Sequence, residues 1–79
     1  MDKTDAIQTV IAIVRDILPD IDPERVTAES VLADLGANSV DRVDVLAMSM
    51  EGLNVRVPMM TFAKANTIED IAVLLLQAR

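Results

Sequence analysis

The sequence has no cysteine and no histidine. Without cysteine there is no disulfide, no thiolate metal site and no thiol nucleophile. Without histidine the commonest general base, proton shuttle and zinc ligand is missing as well. Aromatic residues are almost absent, with Phe62 alone. No apolar run is long enough to cross a bilayer. The start, MDKTDAIQ, is acidic and polar, unlike a secretory signal. A soluble, cytoplasmic domain without membrane contact is expected. Basic residues are also few, and the net charge is −6. Only Arg25 and Arg42 oppose the acids of the middle segment: Asp16, Asp20, Asp22, Glu24, Glu29, Asp34, Asp41, Asp44 and Glu51. A nucleic-acid binder needs the reverse sign, so that class is set aside.

What remains is aliphatic. Hydrophobic residues make up 52% of the 79, so the core must be built from Ile, Leu, Val, Met and Ala, a composition suited to packed helices. Residues 3–18 carry Ile7, Val10, Ile11, Val14, Ile17 and Leu18 at the spacing of an amphipathic helix. Asp2 or Thr4 can cap it and Pro19 ends it. A connection with two prolines and five acids follows, 19–38. Val26, Val31, Leu32 and Leu35 are its apolar pins, with a short helical turn expected near Ser30 to Asp34. A second helix spans 39–53. At about 100° per residue, Val43, Leu46, Met50 and Leu53 share the side expected to be core. Asp41, Asp44 and Glu51 lie opposite, with Met48 among them and Val40 at their edge. LNVRV, from Leu53 to Val57, alternates like a strand but has no partner, and reads as a loop. Pro58 opens a short helix through Met59, Met60, Phe62 and Ala63, with the two methionines expected to fill the core. Thr67 and Asp70 have the spacing of a capping box for a last helix reaching Gln77, with Ile68, Ile71, Ala72 and Leu75 on its buried side.

A search for chemistry finds little. LGANSV has one glycine and no following lysine, so it is not a phosphate-cradling loop. Asp20, Asp22 and Glu24 lack EF-hand spacing. Ser39 has no base to activate it. A serine at a helix start most often caps that helix. Here Asn38 is at least as good a cap, and Asp41 stands three residues on. If Asn38 caps, the Ser39 hydroxyl is free to point outward. A phosphate ester there would meet unpaired N–H groups and the positive end of the helix dipole.

DLGANSVDRVDVLAMSMEGL resembles the signature of the acyl carrier proteins, in which Asp-Leu-Gly and one or two further residues lead to Asp-Ser-Leu and an acidic helix. The order of helices resembles that family along essentially the whole chain. The resemblance implies one acyl carrier domain, residues 1–79, with an all-α four-helix bundle of three main helices and one short one. It implies a carrier without catalytic residues, whose cofactor is 4'-phosphopantetheine, attached at Ser39 from coenzyme A by a phosphopantetheinyl transferase. The acidic second helix becomes the expected docking surface, through Asn38, Val40, Asp41, Arg42, Asp44, Ala47, Met48 and Glu51.

Three departures from the family pattern stand out. Asn38 replaces the usual Asp, Val40 the usual Leu, and Arg42 a usually neutral residue. Arg42 and Ser49 fall at the border of the core-facing side, and a buried Arg without a partner is costly. That border is ill suited to sheltering a long apolar chain, so a short or polar cargo is expected. GANSVDR looks like the discrete donor carriers of polyketide β-branching cassettes. By that resemblance the cargo is malonyl or acetyl. The partners are an acyltransferase, a decarboxylating ketosynthase and an HMG synthase-like enzyme, and the carrier alone is a monomer. Fatty-acid or aminoacyl delivery, and an unmodified helical module whose serine only caps, are the other readings.

Overall fold

The computed structural model describes residues 1–79, with α-helices α1 (Lys3–Ile17), α2 (Ser39–Leu53) and α3 (Ile68–Gln77). Three single 3-10 turns complete it: Pro23–Arg25, Leu32–Leu35 and Met59–Phe62. The short fourth helix expected after Pro58 is the last of these turns. No helix is long and apolar enough to cross a membrane.

Each helix begins on a capping side chain. Asp2 Oδ1 accepts the Asp5 N–H at 2.8 Å. Asn38 and Asp41 close a reciprocal box at α2, and Thr67 and Asp70 close another at α3. In the α3 box the backbone N–H groups of Thr67 and Asn66 hold the Asp70 carboxyl below the ordinary aspartate value of 3.8. The stabilisation from this box is therefore present above that value and lost as pH falls through the lowered one.

The core joins the buried faces of all three helices. Ala6, Val10, Ile11 and Val14 come from α1, and Ile68, Ile71, Ala72 and Leu75 from α3. Val26, Leu32 and Leu35 enter from the first connection, and Val55 and Phe62 from the second. Burying a side chain of Val, Leu or Phe size contributes roughly 1.5–3 kcal/mol. These inserted residues therefore hold connections that have little helix of their own.

The 19–38 connection is further fixed by polar contacts. Arg15 donates to the Pro23 carbonyl at 2.9 Å. Ser30 Oγ accepts the Thr27 N–H and donates to the Arg25 carbonyl, both at 2.9 Å. The first N–H groups of α3 need acceptors, and this connection supplies two. Ile68 N–H donates to the Ser30 carbonyl at 3.0 Å and Glu69 N–H to the Ala28 carbonyl at 2.9 Å. The N-terminus of α3 thus orders the segment that delivers the chain to α2.

The structure corrects two core assignments. On α2 the buried residues are Val45, Leu46, Ser49 and Leu53, while Val43 is exposed and Met50 only half-buried. The buried face is turned roughly 60° from the one expected from periodicity. Apolar residues lie nearly all round this helix, so its own pattern orients it weakly and its neighbours decide. At Gly52 a Cβ would lie 3.4 Å from Thr9 Cγ2, so α1 packs close along this edge. Met59 and Met60 do not fill the core either. Met60 is 85% exposed, because Phe62 alone of this turn is buried.

Candidate functional site

The site forms where the first connection enters α2. Gly36 ends the Leu32–Leu35 turn at φ +90°. No atom lies within 4 Å of where its Cβ would be, so glycine is needed for its backbone angle alone. Two residues on, Asn38 Oδ1 accepts the Asp41 N–H at 2.8 Å, and Asp41 Oδ2 accepts the Asn38 N–H at 3.1 Å. The cap is closed without Ser39. Ser39 is the first helical residue and exposed, and its hydroxyl has no hydrogen-bond partner within the protein. The N–H groups of Ser39 and Val40 also make no bond within the protein.

An open groove of about 320 Å³ lies beside Ser39. Small side chains form much of its wall, among them Ala33, Ala37, Ala63 and Ala65, and Asn38, Asn66 and Arg42 supply the polar atoms. A free hydroxyl, two free N–H groups at a positive helix end and an adjacent guanidinium fit a phosphodiester better than a neutral ester. A phosphopantetheine group at Ser39 would be held by these residues. It would supply the terminal thiol on which an acyl group is carried.

The expected docking residues divide. Val40 is 68% and Met48 43% exposed, and Asp44, Ala47 and Glu51 are also exposed. Neither Asp44 nor Glu51 is paired with a cation, the one ion pair being Lys3–Glu69. Asn38 is exposed, but its side chain and that of Asp41 are committed to the cap. Arg42 is different again. It is half-buried, and Nη2 donates to the Phe62 carbonyl at 2.7 Å and the Ala65 carbonyl at 3.1 Å. The sequence placed an Arg without a partner at the core border; the structure gives it two backbone acceptors. It ties α2 to the end of the Met59–Phe62 turn instead of standing out as a free surface charge.

Ser49, two turns further along the same side of α2, is fully buried. Its Oγ is the one buried side-chain polar atom without a hydrogen bond. The sequence pattern puts Arg42 and Ser49 at a border, but the acceptors of one and the isolation of the other depend on residues distant in the chain. Among the candidate cation ligands, Asp22 instead accepts the Glu24 N–H at 3.0 Å. No three His, Cys, Asp or Glu side chains come together as a metal site.

Comparison with known proteins bears on this geometry. The family model of the phosphopantetheine attachment site matches residues 8–75. Over 72 residues the chain is 32% identical to the polyketide biosynthesis acyl-carrier-protein AcpK of Bacillus subtilis (strain 168), covering 91% of this chain and 88% of the relative. It is 35% identical over 72 residues to an acyl carrier protein of Thermosynechococcus vestitus, covering 90% and 88%. Its fold matches a chain in the crystal structure of the curacin biosynthetic pathway HMG synthase in complex with acetyl donor-ACP. That match has a TM-score of 0.84 and 28% identity, and it covers 94% of this chain and 95% of the other. By these matches the chain belongs to the acyl carrier proteins, carriers rather than catalysts, whose phosphopantetheine-binding domain bears its 4'-phosphopantetheine covalently.

Proposed function

We propose that Ser39 carries the 4'-phosphopantetheine and that the chain, acting as one carrier domain in the cytoplasm, delivers a malonyl- or acetyl-derived unit in polyketide biosynthesis. The observation that carries the attachment site is the closed Asn38–Asp41 cap, which leaves the exposed Ser39 hydroxyl without any structural duty. The likeness to a polyketide carrier and to the acetyl donor-ACP structure supports the pathway and an HMG synthase-like enzyme as acceptor. The transferase, acyltransferase and decarboxylating ketosynthase complete the partners such a cargo requires, and the carrier is monomeric between encounters. Val40, Asp44, Ala47, Met48 and Glu51 form the contact surface, with charge speeding the encounter.

Mass spectrometry after incubation with coenzyme A and a phosphopantetheinyl transferase tests the attachment. Wild type gains one pantetheinyl group and Ser39→Ala gains none. Gain of the group by Ser39→Ala would move the site elsewhere. Loading assays test the cargo: malonyl or acetyl is accepted and turned over by a synthase of this kind. A preference for long acyl chains without such turnover would favour a fatty-acid carrier instead.

A further inference from the structure

We infer that Arg42 is an anchor for the phosphodiester of the arm, holding it on the groove side of α2; this rests on Ser39 bearing the arm. Arg42 stands three residues after Ser39, which puts their Cβ atoms about 5–6 Å apart on neighbouring helix positions. Both line the groove bounded by Ala63 and Ala65. A guanidinium has five N–H donors in a planar fork. Here Nη2 makes the bonds to the Phe62 and Ala65 carbonyls. The three N–H groups on Nε and Nη1 have no acceptor in the protein, and no carboxylate pairs with Arg42.

The charge is therefore fixed in place and still available. A side chain already immobilised loses little further entropy on taking up an anion. A phosphodiester carries one negative charge and presents two free oxygens, which suits the open side of the fork. The nearest carboxylate in sequence, Asp41, is engaged by the Asn38 N–H. Asp44 lies about 160° round the helix from Arg42 and is exposed. The arm is thus drawn toward the Met59–Phe62 turn and away from the acidic side, which stays open to a partner protein. A purely structural Arg42, serving only its two carbonyls, would be indifferent to whether the arm is present.

That difference is measurable in ¹⁵N-labelled protein before and after pantetheinylation, with loading verified by mass. Arg42→Gln identifies the Arg42 Nε–Hε resonance by its loss. On loading, this resonance shifts and its exchange with water slows. The change shrinks at 1 M salt, where the screening length is about 3 Å. The ³¹P resonance of loaded Arg42→Gln moves toward that of a free pantetheine phosphodiester, and Arg42→Lys falls between. If the Arg42 resonance is identical in the two forms, and the ³¹P shift is the same in wild type and Arg42→Gln, the anchor is refuted while the attachment at Ser39 stands. If no pantetheinyl mass is gained, the attachment reading fails and the anchor with it. Should Arg42→Gln not fold, the wild-type comparison still decides, with Arg42 assigned by through-bond correlation.

Discussion

The two sides of α2 carry charge in opposite ways. On one side Asp44 and Glu51 are exposed and unpaired, among Val40, Ala47 and Met48. On the other, Arg42 is held by two backbone carbonyls and Ser49 is sealed in the core without a partner. The acidic side contributes little to stability, because exposed charges in water interact weakly, and is free to serve encounter with a partner. The Arg42 side belongs to the fold first. Any function there must use what its carbonyl contacts leave over. A charged residue near an attachment point is therefore not automatically a docking residue; its existing partners decide.

The largest test of this contrast is Arg42→Glu. It removes two charge-assisted bonds and sets a carboxylate against two carbonyl oxygens. A loss of about 2–3 kcal/mol is expected, read by urea unfolding. A variant as stable as wild type would return Arg42 to the exposed surface. Ser49→Ala should move stability the other way. Deleting a buried hydroxyl with no partner relieves a desolvation cost, and a gain of about 1 kcal/mol is expected. A clear loss would mean that the hydroxyl has a partner in solution. Asp44→Lys with Glu51→Lys is the smallest change in stability, within about 0.5 kcal/mol, but should slow association with the proposed synthase partner and weaken its salt dependence. Unchanged association rates in stopped-flow measurements would remove the acidic side from docking. Gly52→Ala, at the edge packed on α1, should add about 0.5–1 kcal/mol by helix propensity, since a contact at 3.4 Å is tolerable.

Much of this was legible in the sequence because it depends on neighbours along the chain. Caps act over three residues. Asn38 with Asp41 and Thr67 with Asp70 set the helix starts that their spacing suggested, and of the two candidates at the first helix, Asp2 and Thr4, it is Asp2 that caps. The stripe of α3 was readable because its apolar residues lie on one side, and Ile68, Ile71, Ala72 and Leu75 are all buried. The freedom of Ser39 followed from Asn38 being the better cap. On α2 the rotation was not legible, since Val40, Val43, Val45, Leu46, Ala47, Met48, Met50 and Leu53 leave little of its circumference polar. Met59 and Met60 misled because methionine commonly fills gaps in a core, whereas this single 3-10 turn buries Phe62 alone.

The sequence by itself determined the aliphatic, cysteine- and histidine-free helical chain, its helix starts, and a serine at the first position of an acidic helix. These follow from backbone hydrogen bonding and side-chain type over a few residues. Only the tertiary structure decided which side of α2 is buried, and that the carbonyls of Phe62 and Ala65 meet Arg42. It also decided that the first turn of α3 orders the long connection through Ser30 and Ala28. Those contacts join residues far apart in the chain. Their energies depend on where packing brings a donor and an acceptor together, which no local pattern encodes.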